Sequence, residues 1–361
     1  LGLKLPEDSN AAARLAGLNA KHGYTAFGSG IMDLDKLMEV FSTPDTILAL
    51  SMAASGELDP ATLTPECKSE FRGLFSNTPR MTMGVTELSA NDVGVQYSVE
   101  TKPDLVQQLA GMVSEIPGVN HLSDRIFELS FGMRFGAVRD FLREKAAAIM
   151  ETPYQCEHLA DLNESATQAF AQLNQPMPPF VNNFRGVRLS LSEVTMTDSI
   201  PENTRGQIAV HVEQPEMFVG MAQMFLPDLS NLTLVPGKPP VRLPASILPI
   251  PGIVAFAALS DEAIGLSIGA GEEAGLPDFL NQEPGPEGTF LSTNYDMAAY
   301  LDYTQDLGKQ YESMKTEGAD LDAEQVEQNA HYRSAQHISQ SAQKAFKDFA
   351  DRSQAELRFT E

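Results

Sequence analysis

Few residues in this chain have types and spacings that could do chemistry. Two cysteines, Cys67 and Cys156, stand among 361 residues. Each follows a similar phrase, Thr64-Pro65-Glu66-Cys67 and Thr152-Pro153-Tyr154-Gln155-Cys156. Thr as N-cap with Pro at the first helical position predicts a helix start, since the hydroxyl accepts an orphan amide and Pro has no amide to leave unpaired. Both thiols are then expected in a first helical turn. A disulfide between Cys67 and Cys156 is the expectation, in an oxidising compartment, and closing so long a loop would stabilise by about 4 to 5 kcal/mol on a chain-entropy account. Cys156 and His158 are near neighbours, but no CxxC or HxxxH spacing supplies further ligands, so no metal site is expected.

Enzyme signatures are scarce. The chain has no GxxxxGK[ST] loop, GxSxG elbow, HExxH or EF-hand loop, and His22, His121, His158, His211, His331 and His337 are scattered. Gly265, Gly269, Gly271 and Gly275 fall between strand and helix, where amides can cradle a phosphate. Their spacing is not GxGxxG, and Glu272 and Glu273 occupy the helix start that an anion would need, so a plain turn is expected. Carboxylates are abundant enough for a glycosidase-like pair, yet abundance selects none of them. No catalytic residue and no cofactor is expected.

The elements that must position any site show an internal echo. Leu129-Ser130-Phe131-Gly132, followed by Asp140-Phe141-Leu142, recurs as Leu266-Ser267-Ile268-Gly269, followed by Asp278-Phe279-Leu280. Upstream, Pro103-Asp104-Leu105 is matched by Pro215-Glu216-Met217, each with apolar residues at helical spacing behind it. Strands precede both helices: 93–100, with Val95, Tyr97 and Val99 on one face, and 207–213, with Ile208, Val210 and Val212 on one face. Phe27 to Leu34 resembles Phe290 to Met297, with Asp33 and Asp296 expected to cap helices.

The fold class expected is α+β: two similar halves from an internal duplication, with antiparallel sheets covered by helices. The halves are 1–151 and 187–361, joined by a helical connector over 152–186 with a Pro-rich break. A long C-terminal helix is expected over 322–350, where Val326, Ala330, Ala335, Ile338, Ala342, Ala345 and Phe349 form a narrow stripe.

The halves differ in one place. The second carries an apolar, Pro-rich insertion of about 25 residues, 227–251. Facing inward it closes a core; facing outward it forms a lip for an apolar ligand. With the Met-rich helix beside it, the lip predicts a ligand surface of Phe218, Met221, Phe225, Leu234, Leu243 and Ile247.

Charge narrows the partners. With 49 acidic and 25 basic residues the net charge is −24, which repels nucleic acid and anionic lipid. Six prolines interrupt the greasiest stretch, 232–259, so no transmembrane span is expected. The expectation is therefore a non-enzymatic bacterial envelope or secreted protein that binds a lipid or acyl chain. An interaction or structural component of the envelope is the second reading, and a hydrolase using paired carboxylates is the third. Its place would be periplasmic, outer-membrane-anchored or secreted, with any signal segment ahead of Leu1.

Overall fold

The computed structural model describes residues 11–25, 27–43, 46, 62–89, 92–117, 125–197, 200–247, 253–299 and 352–359. The expected C-terminal helix over 322–350 lies outside them. The fold is α+β, with antiparallel sheets and nine α-helices among the described residues. The first elements are α1 (Ala11–His22), β1 (Gly30–Asp33), α2 (Leu34–Ser42), α3 (Pro65–Phe75), β2 (Arg80–Leu88), β3 (Val93–Glu100) and α4 (Pro103–Ala110). Next come β4 (Phe127–Gly132), α5 (Phe135–Glu151), α6 (Ala160–Leu173), α7 (Pro179–Asn183), β5 (Phe184–Thr197), β6 (Ile200–Val212) and α8 (Pro215–Phe225). The last are β7 (Val241–Arg242), β8 (Ala255–Leu259), β9 (Ala263–Ile268), α9 (Leu276–Leu280), β10 (Thr289–Asp296) and β11 (Arg352–Arg358).

The chain divides into two compact units that interleave in sequence: 1–109 with 139–175, and 110–138 with 176–360. In the first, β1, β2 and β3 form a three-stranded sheet in that order. Asp33 ends β1 and caps α2, its carboxylate accepting from the Lys36 amide at 3.2 Å. Thr64 caps α3 by accepting from the Cys67 amide at 3.2 Å, with Pro65 at the first position.

The second Thr-Pro phrase behaves differently from the expectation. Thr152 follows the end of α5, and its amide donates to Ala148 O at 3.0 Å, so the phrase closes a helix. Pro is as well tolerated just past a helix as at its first turn. Cys156 precedes the 3-10 turn Glu157–Leu159 rather than lying inside a helix. The Glu70 carboxylate accepts from the amides of Gln155 at 2.8 Å and Cys156 at 3.0 Å. That grip brings the cysteine to α3, where Cys67 and Cys156 form a disulfide spanning 89 positions. Leu63 and Leu159 bury it, with Phe71, Leu74, Phe75 and Tyr154 packed around.

The second unit is built on an eight-stranded sheet, ordered β11-β10-β4-β5-β6-β9-β8-β7, with every neighbour antiparallel. Asp296 ends β10 and accepts from the Ala299 amide at 2.7 Å, as Asp33 does after β1. The matched stretches share an order: strand, strand, helix, strand, helix over β2 to α5, and the same over β5 to α9 with β7 and β8 added. Their pairing partners differ, since β9 lies beside β6 whereas β4 pairs with β5 and β10.

Opening the disulfide is expected to cost about 4 to 5 kcal/mol, because the reduced denatured chain regains the freedom of a long loop. Denaturant unfolding with and without reductant measures it. Thiol titration of the denatured, unreduced protein should find no free thiol, and two free thiols would contradict the bond.

Candidate functional site

The residues expected to line a lip fall on the insertion and on α8. Leu243 is buried with Leu229, Ala255 and Ala257, and Leu234 and Ile247 pack against this cluster with Ala222, Leu232 and Leu266. The described part of the insertion thus lies on the sheet face formed by β8 and β9. Gln223 ties α8 to it, its Nε2 donating to Leu232 O at 2.6 Å. Phe218 and Met221 are half-buried on α8, while Phe225 is 80% exposed beside an equally exposed Met224.

A different apolar surface is open, in the other unit. In the three-stranded sheet Met32 pairs with Met81 and Met81 with Val99, Met83 with Tyr97, Val85 with Val95, and Leu88 with Val93. A bulge between Val85 and Glu87 keeps the last pair on the same face. Met32, Met81, Met83, Leu88, Val93, Val95, Tyr97 and Val99 are all exposed, Tyr97 at 73% and Val93 at 69%. The opposite face is the covered one. Thr82 is buried there, and Tyr24 packs so closely on Gly84 that any Cβ would collide with its ring. The apolar stripe of Val95, Tyr97 and Val99, which share one face as expected, faces outward. Ion pairs of Glu100 with Arg80 at 3.2 Å and Lys21 at 3.3 Å stand at one end of this sheet.

The large sheet inverts the same rule, burying its polar face. One transverse row runs Asn294, Glu128, Ser190, Gln207, Ser267 across five strands; the next runs Ser292, Ser130, Arg188, Ala209, Gly265. Apart from Glu128, every member of both rows is buried. Arg188 is the buried cation. Its guanidinium lies 4.1 Å over the Phe279 ring, donating to Phe279 O at 2.5 Å and Gln282 Oε1 at 2.7 Å. Burial pulls its pKa down to about 10, against the raising effect of the Glu128 charge, so it stays charged at neutral pH. α9 is held to the sheet by this clamp and by Ala209, Ala258, Ala263, Leu276 and Leu280.

Hydrogen bonds extend the polar face. Ser190 Oγ and Asn294 Nδ2 reach Glu128, each at 3.4 Å, and Arg352 Nε donates to Asn294 Oδ1 at 3.2 Å. Glu272 is a second hub, accepting from Arg125 at 2.7 Å and Ser192 at 2.6 Å, while its carbonyl accepts from Gln207 at 2.7 Å. The glycine cluster is accordingly a turn that holds a buried acid. Gly271 takes a left-handed φ of 92°, and its amide donates to the chain's own Glu273 Oε2 at 2.8 Å. None of these bonds couples a serine to a histidine, and among the described residues no group of three His, Cys, Asp or Glu could hold a metal ion.

His211, on the covered face opposite Gly186, is 2% exposed and its Nε2 has no hydrogen-bond partner. Burial, then the nearby Arg188 cation, lowers its pKa from 6.5 to about 4. The folded state therefore rejects a proton that the unfolded chain accepts. The stability this gives is complete above pH 6.5 and is lost as pH falls toward 4, a total of about 3 kcal/mol for such a shift. A His211→Gln variant should lose correspondingly less stability between pH 7 and pH 4 than the parent, measured by urea unfolding. Equal losses in both would show that His211 does not carry the effect. Comparison of the chain with family models, with curated proteins and with solved structures finds no match.

Proposed function

We propose that this chain is a non-enzymatic interaction protein of an oxidising compartment, periplasmic or secreted, whose contact surface is the open face of the three-stranded sheet. One observation carries the reading: Met32, Met81, Met83, Leu88, Val93, Val95, Tyr97 and Val99 are exposed together on one sheet face. Contiguous apolar surface of this kind is a usual mark of an interface. A flat face covers only one side of an acyl chain, whereas a partner protein can lay its own flat surface over all of it, so the occupant is a protein with an apolar, aromatic-accepting patch. Methionines adapt such a surface to its partner at little cost.

The disulfide, buried in its own cluster, supports the compartment. A duplication supports the choice of surface. The matched phrases and the shared order of elements favour common ancestry of the segments near 81–150 and 188–281, although their strands pair differently, and Val95, Tyr97 and Val99 then correspond to Ile208, Val210 and Val212. In the later copy that strand belongs to a sheet whose β8 and β9 are overlaid by the insertion. The earlier copy has no insertion, and its face is left for a partner. Leu234, Leu243 and Ile247, packed on the sheet, fit a cover better than a lip.

The test places a photo-crosslinking residue at Tyr97 in cells, identifies the protein captured, and measures its binding to the purified chain. Met83→Thr with Tyr97→Ser, both on the exposed face, should leave folding intact and weaken that binding at least tenfold. Undiminished binding in the variant would overturn the reading. Lipid co-purifying with the chain, together with saturable fatty-acid binding, would replace it with the lipid reading.

A further inference from the structure

An edge strand offers its unpaired N–H and C=O groups to any second strand, and folded chains ordinarily guard such edges with shortness, prolines or charges. The sheets of the described residues end in β1, β3, β7 and β11, and all but β3 are guarded. β1 is four residues long. β7 is two residues long, with Pro239, Pro240 and Pro244 beside it. β11 carries Arg352, Glu356 and Arg358. β3 runs for eight residues and has neither a proline nor a charged side chain from Val93 to Val99.

The backbone of β3 is turned to be used. Val85 O accepts from the Thr25 amide at 2.7 Å, so the Val85–Val95 pair is not one that exchanges backbone bonds. In an antiparallel ladder such pairs alternate with bonded ones, and Val95, Tyr97 and Val99 therefore turn their N–H and C=O groups away from β2. Val99 O accepts only the hydroxyl of its neighbour Thr101, at 3.4 Å. Among the described residues, Val93 to Val99 bond to no backbone group outside the β2 ladder. The side chains along this edge are open as well, Val95 and Val99 being about half exposed and Tyr97 more so.

The edge also complements itself. Laid antiparallel on a second copy about a two-fold axis at Tyr97, it sets Tyr97 against Tyr97, Val95 against Val99 and Gln96 against Ser98, and the outward N–H and C=O groups pair throughout. Gly94 falls opposite Glu100, so no two carboxylates meet. Asp92 and Lys102, both exposed at opposite ends of the strand, fall opposite each other. We propose that a second copy of this chain pairs its β3 with this β3, antiparallel, joining the two small sheets into one of six strands. The pairing is made at the edge, does not depend on the reading of the sheet face, and leaves that face open, now continuous over both copies.

The experiment is sedimentation equilibrium of the full chain in about 0.15 M salt, which screens the like charge of the two copies, with amide exchange resolved by residue. A monomer–dimer equilibrium is expected. Raising the concentration should slow exchange at Val95, Tyr97 and Val99 and leave Gln96 and Ser98, already bonded to β2, unchanged. Val95→Pro removes an outward amide but no bond to β2 and should weaken the dimer at least tenfold, whereas Met83→Thr, on the sheet face, should leave it unchanged. Asp92→Lys and Lys102→Asp should each weaken it and the double variant should restore it, a rescue that reads the pairing even if the proline variant folds poorly. A monomer at every concentration, a dimer indifferent to the proline and to both charge reversals, or one lost with Met83→Thr and kept with Val95→Pro would overturn the proposal. Protection of the edge amides only when a different protein is added would overturn it too, giving the edge to a foreign strand.

Discussion

A strand sends successive side chains to opposite faces, and every other feature of this protein follows from which face its surroundings cover. In the large sheet the covered face is the polar one, and covering it requires that a cation be accommodated. Arg188 meets that requirement through the Phe279 ring, the Phe279 carbonyl and Gln282, which together fix α9 on the sheet. A buried charge is tolerated only when its donors are satisfied and its field is answered, here by Glu128. Burial keeps the neighbouring His211 neutral, and the same cation adds to the effect.

The small sheet applies the rule in the opposite sense. Tyr24 covers Thr82 and Gly84, and the apolar residues of β2 and β3 are left outside. Exposing this many large side chains forgoes burial free energy of roughly 25 cal/mol per Å2, a cost a stable monomer would ordinarily avoid. In the large sheet apolar residues of β8 and β9 are overlaid by the insertion, with Leu229 and Leu243 buried among them. The described part of the insertion packs on the sheet in one unit, and the exposed apolar face lies in the other.

Several elements could be read from residue order because local chemistry decides them. Asp33 caps α2 and Asp296 likewise accepts from the amide three residues on, since a short acid after a strand meets orphan amides, and β3 spans the alternating stretch 93–100 as expected. Cys67 and Cys156 pair as anticipated, although the turn before Cys156 is set by Glu70, far away in sequence. What could not be read was the covered face. Glu128, Ser130, Arg188, Ser190 and Gln207 alternate with apolar residues, a pattern that ordinarily marks solvent, and nothing local announces that this face is covered or that α9 packs against Arg188 and Ala209. The signal that remained was an arginine between Val187 and Leu189 in a strand with serines at the following even positions. It identifies a polar face and not its burial.

The central claim is that the apolar face of the small sheet stands open in the free protein. Methionine oxidation by dilute peroxide, resolved by peptide mass spectrometry, reads this directly, with Met112, buried at 6% exposure, as internal reference. Met32, Met81 and Met83 are expected to oxidise rapidly while Met112 resists. Protection of Met81 and Met83 to the level of Met112 in the isolated, monomeric chain would contradict it.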